Sequence, residues 1–251
     1  MTLPSLLIAV TLLSSFPAQA QENLPVEARP VASFRDTLVF AAPPPPPNLG
    51  APGQRSDGAG SRGCGHVAQA PAATTAPLTA LIPLYESPDT TLAFAKTSAE
   101  RPTLWIYVPY QPPNIARFIL QTSAGETVYQ TDVELPEAPG VIGLALPDTV
   151  PPLAAAESYH WFFNVYCQSP PPLAYVEGWI QREALSSEAA AQLAQLSPPE
   201  QANFYAANGL WHDALTTAAA LRQSHASDSS WNDLLQSVGL QDLAVEPIVD
   251  F

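Results

Sequence analysis

The chain has 251 residues, and its 23 Asp and Glu side chains outnumber nine Lys and Arg side chains, for a net charge of −14. A protein that follows a nucleic-acid backbone needs a Lys- and Arg-rich surface, and attraction to anionic lipid needs one as well. From residue 66 onward only five basic residues stand against nineteen acids, so the excess negative charge lies on the part predicted to fold. The composition argues against nucleic acid and anionic lipid as direct partners.

The first twenty residues have the pattern of a secretory signal peptide. Residues 6–16 form an apolar run, and Ala18, Gln19 and Ala20 form a small-x-small cleavage site. The run is shorter than the roughly twenty residues that a membrane span needs. We expect cleavage after Ala20, a periplasmic or secreted mature chain, and no integral membrane span in it. An uncleaved anchor is the alternative, because no Lys or Arg precedes the apolar run.

Residues 21–77 have the composition of a tether. The five prolines at positions 43–47 favour a stiff polyproline II segment, and the Gly, Ser and Arg residues between positions 50 and 65 favour flexible coil. Neither composition buries enough apolar surface to form a core. We predict a disordered proline-rich linker, with a proline-rich ligand for another domain as the alternative.

The chain has two cysteines, Cys64 and Cys167. In an exported protein such a pair predicts one disulfide. The loop that it would close spans about a hundred residues, for which loop-closure entropy gives a stabilisation of roughly 4–5 kcal/mol. Two free thiols are the alternative.

Residues 78–185 read as short strands separated by turns. Each segment is rich in β-branched and aromatic residues and is bounded by Pro or Gly. The predicted strands are residues 78–84, 103–110, 116–122, 126–135, 141–146, 158–167 and 174–184. Ala124 and Gly125 make a tight link between the third and fourth, which predicts a hairpin. Seven short strands over about a hundred residues predict a two-sheet sandwich of the immunoglobulin or fibronectin-III kind.

The segment at 158–167 has the clearest strand pattern. Every second residue from Tyr159 to Cys167 falls on one face, which we predict to face the core. Leu153 lies six residues before Tyr159, after a Pro-Pro corner. This spacing resembles the tyrosine corner of fibronectin-III-like domains, in which the tyrosine hydroxyl bonds back to the preceding turn.

Residues 186–251 change to a helical period. The predicted helices are residues 187–196, 198–208, 209–222 and 229–238. Pro198 and Glu200 suit the start of the second helix, and Asp228 supplies a cap for the last. The small, aromatic and apolar positions Ala202, Tyr205, Gly209, Trp211, Ala214 and Leu221 resemble a single tetratricopeptide repeat, although Ala226 stands where that repeat has proline. Because such arrays need about three repeats, one hairpin is either a docking surface or a cap on the sandwich.

Six blocks spread over roughly residues 61–243 carry a wider resemblance. They are RGC at 62–64, LTALIP at 78–83, WIYVPY at 105–110, YHW at 159–161, GWIQR at 178–182 and NGLWHDAL at 208–215. In this order they are similar to a cyanobacterial family known as domain of unknown function 928. The resemblance implies a cyanobacterial source and export, and it implies no activity.

No catalytic or metal-binding motif stands out. The histidines His66, His160, His212 and His225 have no metal-ligand spacing with one another or with cysteines and carboxylates. A Gly-x-Ser-x-Gly nucleophile elbow is missing from the sequence. We expect His212 and Asp213 to lie on a solvated helix face, and His160 to be exposed or paired. The sequence therefore predicts no enzyme, no metal site and no cofactor.

Aromatic side chains are the strongest remaining signal of binding. On the segment at 103–110, Trp105 and Tyr107 fall on the face opposite Leu104 and Ile106, so both faces are bulky. Burial of this face under the C-terminal helices is favoured, and an exposed aromatic strip that binds sugars or protein is the alternative. The candidate binding surface comprises Trp105, Tyr107, Tyr110, Trp179, Trp211 and His212.

Three functions follow as hypotheses. The first is a non-enzymatic adaptor of the cell envelope that binds another exported protein. The second is a carbohydrate-binding module that uses Trp105, Tyr107 and Trp179 on a glycan. The third is a hydrolase of unrecognised type, which would need His160 or His212 beside a carboxylate in a cleft. The apolar C-terminal residues 247–251 could also add a strand to a partner's sheet, with packing on their own helices as the alternative.

Overall fold

The computed structural model describes residues 38–47, 49, 53–56, 76–87, 90–112, 114–166, 172–225 and 227–250. The predicted signal peptide, Cys64, Cys167 and their predicted disulfide lie outside these residues. The described part has an α+β fold, in which two sheets hold nine strands and four helices follow them along the chain.

The strands form one small and one large sheet. They are β1 (Thr79–Ala80), β2 (Leu84–Ser87), β3 (Thr90–Thr97), β4 (Thr103–Val108), β5 (Ile115–Thr122), β6 (Thr127–Glu134), β7 (Gly140–Ala145), β8 (Ser158–Tyr166) and β9 (Ala174–Arg182). The three-stranded sheet has the order β1-β4-β7, and the six-stranded sheet has the order β2-β3-β9-β8-β5-β6. Neighbours are antiparallel except β3 and β9, which run parallel.

The alternation predicted for β8 is confirmed. Tyr159, Trp161, Phe163 and Val165 are all buried in a hydrophobic core that includes residues of both sheets. The predicted hairpin is confirmed as well, since β5 and β6 pair antiparallel. Gly125 has a φ of +84° in the connecting turn, a conformation that glycine adopts without steric penalty.

Strands β2 and β3 were not predicted as separate strands. Ala93 and Ala95 occupy the core face of β3, and alanine has a low preference for strands. Partners distant in sequence stabilise this strand, because Phe94 to Thr97 pair with Trp179 to Arg182 of β9. A pattern of neighbouring residues cannot reveal pairing between segments so far apart in the chain.

The predicted tyrosine corner forms its hydrogen bond. The backbone N–H of Ala154 donates to the Tyr159 hydroxyl at 3.0 Å. Removing this hydroxyl with Tyr159→Phe is expected to lower the free energy of unfolding by about 1 kcal/mol, the typical net value of one hydrogen bond. Urea unfolding measures the loss, and Tyr129→Phe on the edge strand β6 is the matched control. Equal effects of the two changes would contradict a role for the corner.

The helical prediction is confirmed, with shifts of at most three residues at the ends. The helices are α1 (Ser187–Leu193), α2 (Pro198–Ala207), α3 (Trp211–Ser224) and α4 (Ser230–Ser237), followed by a 3-10 turn at Gln241–Leu243. The Glu200 carboxylate accepts the backbone N–H of Ser197 at 2.7 Å and so caps the start of α2. Asp228 accepts the N–H of Ser230 at 2.9 Å at the start of α4. Helix α3 lies against β3 and β4, so the helices and sheets share one core.

Part of the predicted linker packs on the folded chain. Leu38 and Phe40 are buried, and the Phe40 ring lies 4.9 Å from that of Trp211. The N–H of Ala41 donates to the carbonyl of Ala206 at 3.0 Å. Within the predicted linker, Leu38 and Phe40 therefore belong to the core of the folded chain, and Phe40 packs against Trp211 of α3.

Residues 53–56 also contact the sheets. The Gln54 carbonyl accepts the N–H of Glu177 at 2.9 Å, which extends the pairing of β9. The Arg55 carbonyl accepts the N–H of Ala80 at 2.8 Å, and the Arg55 side chain donates to the carbonyl of Val238 at 2.9 Å. This short segment therefore ties the strands to the C-terminal helices.

The C-terminal segment pairs with its own sheet. The N–H of Val141 donates to the carbonyl of Pro247 at 2.7 Å, and the N–H of Val249 donates to the carbonyl of Val141 at 2.9 Å. Gly140 lets this segment approach, because a Cβ atom at that position would lie 2.7 Å from Val249. The segment covers part of the β7 edge, which would otherwise present unpaired backbone groups.

Candidate functional site

A cleft of about 170 Å³ lies where α2 and α3 meet the connection between β3 and β4. We name it the His212 cleft. Its polar lining consists of Arg101, Tyr205, His212 and Asp213, together with the threonines Thr97, Thr103, Thr216 and Thr217. The lining comes from three segments, residues 97–103, Tyr205 and residues 212–217, which the packing of α3 on α2, β3 and β4 brings together.

Asp213 anchors the first turn of α3 to the end of β3. Its Oδ2 accepts the N–H of Ser98 at 2.9 Å, and its Oδ1 accepts the Ser98 hydroxyl at 2.7 Å. Burial raises the pKa of Asp213, and the hydrogen bonds from Ser98 and Thr97 oppose that rise. Both carboxylate oxygens are therefore engaged in holding the helix to the sheet.

His212 is a buried, neutral imidazole. It is only 3% exposed, and neither ring nitrogen has a hydrogen-bond partner among the residues that the structure describes. Burial lowers the pKa of His212 to about 4, and a backbone contact with Thr103, outside hydrogen-bond geometry, opposes this shift. The prediction of a solvated face is wrong for His212, because α3 is enclosed by both the sheets and α4.

The His212 cleft lacks a catalytic relay within the described part of the chain. Asp213 bonds Ser98 and makes no hydrogen bond to His212, so it does not orient the imidazole as a base. A serine–histidine contact does occur between Ser224 and His225, at 2.9 Å. It is exposed at the end of α3 and lies outside this cleft. The geometry therefore offers binding groups and no activated nucleophile.

A second polar cluster lies on the outer face of the six-stranded sheet. His160 is 8% exposed and stacks on Trp179, with ring centroids 4.4 Å apart. Its Nε2 lies 2.9 Å from Oε2 of Glu177, a close contact whose angle falls outside hydrogen-bond limits. Of the two alternatives predicted for His160, exposed or paired, the structure shows a paired and buried side chain.

The predicted aromatic surface is largely interior. Trp105, Tyr107, Trp179, Trp211 and His212 are buried, and Tyr110 is half-buried. The alternative of an exposed aromatic strip is therefore wrong for Trp105 and Tyr107. The favoured alternative, burial under the helices, is confirmed for Trp105, which donates from Nε1 to the Thr216 hydroxyl at 3.0 Å. Trp211 donates from Nε1 to the carbonyl of Leu81 at 2.8 Å.

An exposed patch that the sequence analysis missed lies near one end of the six-stranded sheet, on its outer face. We name Ile115, Arg117, Tyr166 and Tyr175 the Ile115 patch. Ile115 is 45% exposed and pairs directly with Tyr166, and Tyr175 is 37% exposed and pairs with Asn164 on the neighbouring strand. Arg117 lies 5.9 Å from the centre of the Tyr166 ring. The alternation of β5 contained the signal, since Ile115 and Arg117 fall opposite the core residues Ala116 and Phe118.

Arg117 is held in place from a second side. Its Nε donates to Oδ1 of Asp132 at 2.7 Å. This hydrogen bond raises the pKa of Arg117 and lowers that of Asp132. The guanidinium is thus oriented between the tyrosine ring and the edge strand.

Among the described residues, no helix is both long and apolar enough to cross a bilayer, and no group of three His, Cys, Asp or Glu side chains could hold a metal ion. The comparison with curated proteins returned no match. A family model described as Domain of Unknown Function (DUF928) matches residues 57–248, which is about three quarters of the chain. The chain therefore belongs to the DUF928 family.

Proposed function

We propose that this protein is an exported, non-enzymatic interaction module of the cell envelope that recruits or presents another exported protein. The observation that carries the proposal is the Ile115 patch, where tyrosine, isoleucine and arginine side chains lie together on the face of a sheet. Tyrosine and arginine are enriched in protein–protein interfaces and frequently dominate their binding energy. Export rests on the signal-peptide pattern of residues 1–20.

The architecture supports a rigid display of this patch. We infer an immunoglobulin-like sandwich, because the orders β1-β4-β7 and β6-β5-β8-β9 correspond to those of the two sheets in that fold. We also infer that the repeat-like hairpin of α2 and α3 serves as a cap, since Trp211, Ala214 and Ala218 are fully buried. A capped sandwich presents the patch on a fixed backbone, which limits the entropy lost on binding.

The two rival functions receive less support from the geometry. A carbohydrate-binding module would depend on an exposed strip of Trp105, Tyr107 and Trp179, and all three side chains are buried. A hydrolase would depend on a histidine oriented by a carboxylate next to a nucleophile. Among the residues that the structure describes, His160 contacts Glu177 without a nucleophile beside it, and His212 has no carboxylate partner.

Site-specific photocrosslinking in living cells tests the proposal on the full chain. A photoreactive phenylalanine analogue at Tyr175 is expected to give one discrete crosslinked protein, whereas the same analogue at Val245, which is 80% exposed, should not. The additional change Ile115→Asp should abolish the adduct, because it places a charge in the centre of the patch. With the purified partner, Ile115→Asp should weaken binding on the order of tenfold, equivalent to about 1.4 kcal/mol.

Two results would overturn the proposal. One is equal crosslinking from Tyr175 and Val245, which would indicate random encounter. The other is an adduct that persists in the Ile115→Asp variant with unchanged affinity for the purified partner. A circular dichroism spectrum and an unfolding curve that match those of the wild type establish that the variant is folded.

A further inference from the structure

We propose that the His212 cleft binds a small, neutral, hydroxyl-rich molecule of at most about monosaccharide size. This site is separate from the Ile115 patch, because α2, α3 and the β3–β4 connection line it, whereas the patch lies on β5, β8 and β9. The inference therefore does not depend on the proposed interaction with a protein.

The dimensions of the cleft limit the ligand. A volume of about 170 Å³ corresponds to roughly five or six water molecules at their share of liquid volume, about 30 Å³ each. Sites for drug-sized molecules are larger, about 300–1,000 Å³. A peptide or an oligosaccharide could enter only with a terminal group, whereas a polyol or one sugar ring matches the space.

The charged groups of the cleft argue for a neutral ligand. Asp213 uses both oxygens on Ser98 and so has no open oxygen directed at a cation. Arg101 donates from Nε to the carbonyl of Val150 at 3.0 Å and from Nη2 to the carbonyl of Asp148 at 3.4 Å. Two of the five guanidinium N–H groups are therefore already engaged with backbone carbonyls, which reduces what Arg101 can offer to a carboxylate or phosphate. One acid and one base on the lining also leave it without net charge.

The remaining polar groups match hydroxyls. The side-chain hydroxyls of Thr103 and Tyr205 make no hydrogen bond within the described part of the chain, and each can both donate and accept. The Thr216 hydroxyl accepts from Trp105 and keeps its proton to donate. Burial, helped by the charge of Asp213, raises the pKa of Tyr205 to about 12, which keeps its hydroxyl proton in place. A sugar or polyol supplies neighbouring hydroxyls that also donate and accept.

His212 supplies an additional donor and acceptor. Its neutral ring carries one N–H and one lone pair, and both nitrogens are shielded from solvent and have no hydrogen-bond partner within the described part of the chain. A half-turn about the Cβ–Cγ bond exchanges each nitrogen with a ring carbon at almost no change in shape. A ligand in the cleft could satisfy these nitrogens after such a turn, which would recover hydrogen bonds that the free protein leaves unmade.

Binding to the full chain can be measured by backbone-amide NMR titration. The neutral probes are glycerol, glucose and N-acetylglucosamine, and the charged counterparts are glucuronate and glucosamine. We expect at least one neutral probe to shift the amides of residues 97–103 and 211–217, with an affinity about tenfold higher than that of either charged counterpart. Shifts confined to other regions, tighter binding of a charged counterpart, or no shift with any neutral probe would each overturn the proposal.

Hydroxyl deletions locate the site. Thr103→Val and Tyr205→Phe should each weaken binding of the best neutral probe by roughly fivefold to tenfold, the effect of one lost hydrogen bond. Valine suits the strand position, so Thr103→Val keeps the fold. Thr131→Val on the exposed edge strand β6 is the matched control and should leave the affinity unchanged. If the control weakens binding as much as Thr103→Val, or if neither cleft variant weakens it, the proposed site is wrong.

Discussion

Replacing Trp105 with alanine is expected to lower the free energy of unfolding by about 3–5 kcal/mol, as for other buried tryptophans. The indole ring lies between the three-stranded sheet and the helices, where it donates to Thr216 and meets the Trp231 ring at 5.8 Å in an edge-to-face arrangement. On the sheet side it rests on Gly143, where a Cβ atom would lie 2.8 Å from the ring. The substitution therefore opens a cavity between the β-rich and helical parts.

Chemical denaturation with circular dichroism at helical and strand wavelengths measures this loss. Val245→Ala changes a side chain that is 80% exposed and should stay within about 0.5 kcal/mol of the wild type. Gly143→Ala tests the same contact from the other side and should destabilise by about 1–3 kcal/mol through overpacking. A loss below about 1 kcal/mol for Trp105→Ala would show that the helices are not packed on this face, since a tryptophan that is mostly exposed costs little to remove.

Acidification from neutral pH towards pH 4 is expected to destabilise the protein through His212. The pKa of His212 falls from its ordinary 6.5 to about 4 in the folded chain because of burial. Between these two values the unfolded chain binds a proton that the folded chain does not, so the free energy of unfolding decreases as the pH falls. This difference in pKa lowers the free energy of unfolding by about 3 kcal/mol over the interval between the two pKa values. Asp213, whose pKa is raised, acts in the opposite direction at the acidic end.

The variant His212→Phe isolates the histidine contribution. At pH 7 phenylalanine fills a similar volume without unpaired nitrogens, so the stability should change by less than about 1.5 kcal/mol. As the pH falls towards 4, the variant should become progressively more stable than the wild type, by up to about 3 kcal/mol. His225→Phe, at an exposed histidine, controls for the loss of an imidazole from the unfolded chain. Parallel stability curves for wild type and His212→Phe would contradict the burial of a neutral His212.

Local sequence patterns predicted the elements well where a strand or helix is stabilised by its own residues. Gly125 identified the hairpin turn, and the alternation from Tyr159 onward identified the core face of β8. Pro198 and Glu200 marked the start of α2, which begins at Pro198 as predicted. Each of these signals acts over a few residues and is therefore readable along the chain.

The candidate sites were much harder to predict. The alternation of β4 puts Trp105 on the face opposite Leu104, but because both faces are bulky it does not say whether a second layer covers the Trp105 face. Trp105 is buried because Thr216, 111 positions later, lies on a helix that covers this face. The Ile115 patch shows the converse case. The alternation of β5 places Ile115 and Arg117 opposite the core, but it does not say whether a second layer covers this end of the sheet.

The sequence by itself determined the compartment prediction, the α+β order of elements, the faces of β8 and the starts of the helices, because these depend on composition and short-range periodicity. The tertiary structure alone decided the parallel pairing of β3 with β9, the packing of Leu38 and Phe40 on the helices, and the burial of His212. These features depend on contacts between segments far apart in the chain. Their stability comes from apolar area removed from water and from polar groups that find partners, and both are known only when the elements are assembled.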